Sequence, residues 1–109
     1  MVHSISPQQA FELLSRGEVE VIDVRDPSEW AGGHLPGAQL VPLERLRASP
    51  SELRDRENIL FVCAAGVRSQ TAARIAASLG VKTIYNLSSG TRGWVKAGFP
   101  LVNELSVAV

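Results

Sequence analysis

The chain has 109 residues, and its eleven Lys and Arg are balanced by eleven Asp and Glu, so its formal net charge is zero. This length fits one domain, and the balanced charge gives no reason to expect nucleic acid or an anionic membrane as a partner. No stretch approaches the roughly 18 apolar residues of a membrane span, and the N-terminus lacks the pattern of a signal peptide. With its single cysteine the chain cannot form an internal disulfide, so we expect a reducing, cytoplasmic setting.

Short apolar runs alternate with helical patterns along the chain. The first helix is predicted to begin at Ser6, Pro7 and Gln9, which suit an N-cap, a first helical position and a capping-box partner. Strands are expected in four segments, 19–24, 39–41, 59–62 and 82–87. Further helices are expected at 69–79 and 91–97, and the charged segment 47–57 is expected to be a surface helix with its loop.

This alternation predicts an α/β fold, with right-handed βαβ units and a mostly parallel sheet covered by helices on both faces. In such sheets, ligands bind at the carboxyl ends of the strands. The rule directs attention to Cys63, which follows the apolar strand 59–62, and to the residues that end the strand 19–24.

The loop after Cys63 has the properties of a site that stabilises a thiolate. Gly66 and its small neighbours permit the backbone to curl so that N–H groups point inward, and a helix start and Arg68 add positive charge. Together these features favour the ionised form of Cys63. A lone cysteine after an apolar strand is also often a small buried hydrophobe. The residues alone leave these two interpretations equally balanced.

Three segments resemble the signatures of the rhodanese family, in the family's order. The segment 63–69 resembles its active-site loop, 23–38 its N-terminal signature, and 90–100 its C-terminal signature. The resemblance runs from about residue 5 to 101 and leaves 102–109 as an unmatched tail, so the whole chain, 1–109, is expected to be a single rhodanese domain. One departure is Ser89 before Gly90, where the family more often has two glycines; we expect it to affect a turn only.

The resemblance implies a five-stranded rhodanese-like sheet and a sulfurtransferase reaction. Cys63 would attack the sulfane sulfur of a small anionic donor such as thiosulfate and form a persulfide. The persulfide would then pass its outer sulfur to cyanide in an assay, or to an external thiol or protein acceptor in cells. Arg68 would steer the donor and support the loop, and no metal or organic cofactor would be needed. The backbone amides of Ala64 to Arg68 would stabilise charge on sulfur. Substrate would be bound by Ala64, Ala65, Gly66, Val67 and Ser69.

Several other residues are expected to be mainly structural. Asp23 and Arg25 would form a buried pair beside the site, and His34 would fix its loop by hydrogen bonds. Asp26 is expected to cap a short helix. Ser69 is expected to cap the helix after the Cys63 loop, with a contact to the Cys63 sulfur as the weaker alternative. Core or rim packing is expected for Trp30 and Trp94, and no role is expected for His3.

Two other functions are alternatives to sulfur transfer. Related phosphatases and arsenate reductases place five residues between their cysteine and arginine, whereas only four separate Cys63 from Arg68. The shorter loop suits a single sulfur atom better than a tetrahedral oxyanion. The other alternative is a sulfur-relay or binding module with little thiosulfate activity. The presence of Cys63 and the complete loop argues against a binding module, whereas the single charge in the loop, on Arg68, favours a sulfur relay. The oligomeric state is left open.

Overall fold

A computed structural model describes residues 1–103 and shows a five-stranded, fully parallel sheet. The spatial order of the strands is β1-β5-β4-β2-β3, which places β4 at the centre. The strands are β1 Val2–Ile5, β2 Glu20–Asp23, β3 Gln39–Leu40, β4 Asn58–Val62 and β5 Thr83–Leu87. The central strand pairs Asp23 with Val62 and Phe61 with Asn86, so the ends of β2, β4 and β5 lie side by side.

Helices cover both faces of the sheet. They are α1 Pro7–Ser15, α2 Pro27–Ala31, α3 Leu43–Ala48, α4 Val67–Ser78 and α5 Gly90–Lys96, with a 3₁₀ helix at Pro50–Leu53. One apolar layer contains side chains of α3, the 3₁₀ helix and α4, packed on alternate residues of the strands. The other contains Ala10 of α1 and Trp94 of α5, packed on the opposite face. Because Val21 and Ile22 point to different layers, β2 shows the period-2 alternation of a strand buried on both sides.

The predicted architecture is confirmed, with differences at particular elements. The Ser6 and Gln9 capping box starts α1 as expected. Strand β1 was not predicted, because its residues are mostly exposed at the edge of the sheet and only Ile5 is buried. The segment 47–57 is not a surface helix with its loop. Its helix, α3, starts earlier, at Leu43, and the 3₁₀ helix that follows buries Leu53.

Among residues 1–103, no helix is both long enough and apolar enough to cross a membrane. The segment 105–109, which belongs to the unmatched tail, lies outside the described residues.

Candidate active site

Cys63 lies where the central strand ends and the chain turns into α4. Its side chain is buried, with 1% of the residue exposed, in the layer that α4 covers. The turn depends on Gly66, which precedes α4 with a φ of 93°. A Cβ at Gly66 would lie 2.1 Å from the carbonyl oxygen of Ser88, so any larger residue would push two backbone segments apart. The predicted curl of the loop is therefore present.

Backbone N–H groups converge on the Cys63 sulfur. The N–H of Gly66 donates to Sγ over 3.1 Å, and the N–H of Ser69 donates over 3.3 Å. Gly66 belongs to the set of loop amides that we expected to act in this way. Ser69 lies one residue beyond that set, in the first turn of α4, and contributes through its backbone as well as its hydroxyl. The loop thus offers donors to a negative charge on sulfur.

The Ser69 hydroxyl does not cap α4, because Gly66 occupies the N-cap position. Its Oγ lies 3.3 Å from the Cys63 sulfur and 2.6 Å from Oδ1 of Asn86, which sits on β5. The contact that we ranked as the weaker alternative is therefore the one that forms. Asn86 also donates to the carbonyl oxygen of Gly66 and to the side chain of Gln70.

Asn86 was missed in the sequence analysis. It lies 17 positions from Ser69 along the chain and reaches it only because β5 and α4 pack together. The available signal was a residue of low strand propensity inside an apolar strand segment.

Opposing effects act on the pKa of the Cys63 thiol. Burial raises it, and the backbone N–H groups of Ser69, Ala65 and Gly66 lower it. The Ser69 hydroxyl lowers it as well only if it donates its proton to the sulfur rather than to Asn86. The lowering effects dominate, so the pKa lies below the usual range of a thiol. Because the thiolate is the reactive form of cysteine, this lowering favours reaction at the sulfur.

Arg68 is paired with an acidic residue of the N-terminal signature, 23–38. Its guanidinium binds the Glu29 carboxylate through two hydrogen bonds of 2.8 and 3.0 Å, and the two side chains are 35% and 34% exposed. This hydrogen bonding holds the pKa of Glu29 at about 2, so the pair stays intact at neutral pH. Two of the five N–H donors of Arg68 are therefore used inside the protein.

The outer part of the loop is small and uncharged. Ala64 is half-buried and Ala65 is exposed, and Val67 is the most prominent side chain of the loop, with 75% of the residue exposed. None of the three adds a charge near Cys63. Apart from Arg68, the loop therefore presents mostly backbone and aliphatic groups to a substrate.

Asp23 and Arg25 form the expected buried pair. Both are buried, their side chains meet over 2.8 Å, and further hydrogen bonds join the two residues at 3.0 and 3.1 Å. Arg25 also donates to the carbonyl oxygen of Gly33 over 2.7 Å. The pair thereby ties the end of β2 to the signature loop, which is the structural role that we expected.

His34 fixes that same loop. Its Nδ1 lies 2.8 Å from the carbonyl oxygen of Trp30, and the two rings stack with their centroids 3.8 Å apart. The backbone of His34 forms two hydrogen bonds of 2.8 Å with Val102. Nothing connects this buried ring to the Cys63 sulfur among the described hydrogen bonds. The packing roles expected for the tryptophans also hold, since Trp94 is fully buried and Trp30 is half-buried on His34.

The third signature packs on the back of the Cys63 loop. The N–H groups of Thr91 and Arg92 donate to the carbonyl oxygens of Cys63 and Ala64 over 2.8 and 3.1 Å. These bonds connect the start of α5 to the Cys63 loop. Ser89, the departure from the family pattern, precedes α5, and its buried hydroxyl has no hydrogen-bond partner among the described residues.

Residues 1–103 contain no cluster of three His, Cys, Asp or Glu side chains that could bind a metal ion. The N–H groups of Gly66 and Ser69 point at the sulfur, and such donors suit an anion. The site can therefore hold a sulfur nucleophile and stabilise the negative charge that it carries.

Comparison with known proteins identifies a family model that covers most of the chain. The Rhodanese-like domain model matches residues 6–97. The crystal structure of a rhodanese-related protein from Thermoplasma volcanium superposes with a TM-score of 0.81 and 29% identity, covering 94% of this chain and 99% of that one.

Curated relatives are named as enzymes, as a carrier or as uncharacterised proteins. The chain is 38% identical to the thiosulfate sulfurtransferase GlpE of Ectopseudomonas mendocina, over 88% of its own length and 86% of that enzyme. It is 33% identical to YrkF of Bacillus subtilis, a putative sulfur carrier protein, over 70% of its length and 41% of YrkF. The uncharacterised YqhL of Bacillus subtilis is 38% identical over 71% of the chain, which spans only 61% of YqhL.

Proposed function

Because the chain belongs to the Rhodanese-like domain family, we propose that it is a sulfurtransferase that carries sulfane sulfur as a persulfide on Cys63. The observation that carries this proposal is the convergence of the Gly66 and Ser69 N–H groups on one buried sulfur atom. A structural cysteine needs no such donors, whereas a thiolate nucleophile does.

The first half of the cycle loads the sulfur. The Cys63 thiolate attacks the sulfane sulfur of thiosulfate, and a new S–S bond forms as the old one breaks. Sulfite leaves with the electron pair of the broken bond, so no oxidant or reductant is required. The Gly66 and Ser69 N–H groups stabilise the thiolate before the attack, and the same curl of backbone can accept the charged outer sulfur afterwards.

The second half of the cycle transfers the sulfur from Cys63 to an acceptor. An acceptor thiolate, or cyanide in an assay, attacks the outer sulfur, and Cys63 leaves as a thiolate that the same N–H groups stabilise. Because the chain has no other cysteine, the acceptor is an external molecule. The cycle needs a free thiol between turnovers, so we place it in a reducing compartment such as the cytoplasm.

A second candidate is a sulfur relay with little thiosulfate activity. The observation that favours it is the Arg68–Glu29 pair. Glu29 neutralises the guanidinium that would otherwise bind a free dianion such as thiosulfate. The small, uncharged outer residues Ala65 and Val67 point the same way, since they suit a larger persulfide donor or a protein acceptor. In this case Cys63 would still become a persulfide.

The two candidates are separated by steady-state assays with cyanide as acceptor. We expect transfer from thiosulfate, from a low-molecular-weight persulfide donor or from both in the wild type, and none in Cys63→Ser. Turnover with the persulfide donor alone would select the relay. Normal transfer in a folded Cys63→Ser variant would contradict both candidates.

A further inference from the structure

A buried chain of hydrogen bonds runs from the Cys63 sulfur to strand β5. Ser69 Oγ lies 3.3 Å from Sγ and 2.6 Å from Asn86 Oδ1. Ser69 is fully buried and Asn86 is 3% exposed, so bulk water does not replace either partner. The direction in which the Ser69 hydroxyl donates its proton therefore acts directly on the charge state of the sulfur.

The partners of Asn86 determine the orientation of its amide. The backbone carbonyl of Gly66 can only accept a hydrogen bond, so the Asn86 atom 3.3 Å from it is the nitrogen, Nδ2. The oxygen, Oδ1, then faces Ser69, and it too can only accept. A hydroxyl has one proton, and at Ser69 that proton goes to Asn86.

We propose that Asn86 is a positioning residue that commits the Ser69 proton to its own carbonyl oxygen and so withholds one hydrogen-bond donor from the Cys63 thiolate. Toward Sγ, Ser69 then presents a lone pair. That lone pair accepts from the S–H of the neutral thiol and gives nothing to the thiolate. The Ser69 hydroxyl and the Ser69 backbone N–H thus act on the sulfur in opposite directions.

The consequence concerns how strong a nucleophile Cys63 is, and in this respect the inference rests on the proposed sulfur transfer. Lowering the pKa of a thiol increases the thiolate fraction but weakens each thiolate as a nucleophile, so the best attacking thiol has a pKa near ambient pH. The N–H groups of Gly66 and Ser69 lower the pKa, and Asn86 limits how far it falls. Of the charged residues near the loop, Arg68 is paired with Glu29 and Arg25 with Asp23, and Arg92 of α5 is exposed next to Ala64.

The test is a titration of the single thiol in four proteins: wild type, Ser69→Ala, Asn86→Leu and the double variant. The ultraviolet absorbance of the thiolate reports the midpoint without requiring access for a reagent, and Cys63→Ala supplies the baseline. We expect Ser69→Ala to move the midpoint by less than about 0.3 units, because its hydroxyl gives the thiolate nothing. We expect Asn86→Leu to lower it by about one unit, because the freed hydroxyl then donates to a charged acceptor.

The double variant and a control variant show whether the effect passes through Ser69. Asn86→Leu should have no effect in the Ser69→Ala background, and Gln70→Leu, which removes only the other side-chain partner of the Asn86 amide, should leave the midpoint unchanged. If Asn86→Leu lowered the thiol midpoint as much in the Ser69→Ala background as in the wild type, the proposal would be overturned. A rise of about one unit in Ser69→Ala alone would also overturn it, because the hydroxyl would then be a donor to the thiolate.

This readout is independent of sulfur transfer. A protein that titrates as expected but never takes up sulfur would refute the proposed function and leave the role of Asn86 intact. Ser69→Ala places a strong helix former in α4, so this arm of the test remains available if Asn86→Leu does not fold.

Discussion

The loops that follow β2 and β4 lie at the same edge of the sheet and use buried polar groups in different ways. After β2, Asp23 and Arg25 satisfy each other, and Arg25 adds the carbonyl oxygen of Gly33. After β4, N–H groups converge on the Cys63 sulfur, and no charged side chain within residues 1–103 is hydrogen-bonded to it. The loop after β2 is thus a scaffold, and the loop after β4 is a site. In the scaffold every charge has a fixed partner, whereas in the site donors are directed at an atom whose charge changes during the reaction.

Arg25→Ala should have the largest effect, and it should act on stability. The change leaves the Asp23 carboxylate buried without its partner, which typically costs about 3–5 kcal/mol. Urea unfolding of the variant and of Arg47→Ala, from the exposed Arg47–Glu44 pair, measures the difference. A loss as small as that of the exposed pair would show that the loop after β2 is not the scaffold that we describe.

Gly66→Ala should damage the site as well as the fold. The left-handed backbone costs a residue with a Cβ about 1–2 kcal/mol, and the contact with Ser88 moves the Gly66 N–H away from the sulfur. Gly80→Ala is the matched control, because Gly80 has a φ of 80° but open space around its Cβ position. We expect sulfur transfer to fall at least tenfold more in Gly66→Ala than in Gly80→Ala. Equal activities would contradict the role assigned to the Gly66 N–H.

Glu29 connects the two loops through its pair with Arg68. Glu29→Gln should improve the use of thiosulfate. Removing its charge frees the Arg68 guanidinium for an anionic donor, so we expect the KM for thiosulfate to fall severalfold. Glu52→Gln breaks the comparable Arg45–Glu52 pair on α3 and the 3₁₀ helix and should leave KM unchanged. An unchanged KM in Glu29→Gln would mean that Arg68 does not meet the donor in either state.

The same carboxylate gives a pH dependence of stability. The pKa of Glu29 is lowered from 4.5 to about 2, so the stability that it adds is fully present above about pH 4.5 and is lost as the pH falls toward 2. The free energy of unfolding of the wild type should therefore approach that of Glu29→Gln over this range. Since the pair is one-third exposed, the difference at neutral pH should not exceed about 1 kcal/mol. A constant difference down to pH 2 would contradict the pairing with Arg68.

The sequence predicted those features of the molecule that depend on neighbours along the chain. The capping box of Ser6 and Gln9, the strand before Cys63 and the curl at Gly66 are all specified within a few residues. Contacts between distant segments were not predicted. Glu29 lies 39 positions before Arg68, and the pairing needs α2 and α4 to meet across the sheet edge. The prediction that Ser69 caps α4 was wrong, because its hydroxyl partner, Asn86, lies on β5, far away along the chain.

Intact-protein mass spectrometry after incubation with a sulfane-sulfur donor tests the central claim most directly. Wild type and Cys63→Ser are incubated with thiosulfate or with a low-molecular-weight persulfide and weighed before and after treatment with cyanide. We predict a gain of one sulfur atom that requires Cys63 and is removed by cyanide. The absence of this gain with both donors, in a folded protein whose thiol titrates, would contradict the claim that Cys63 carries sulfur.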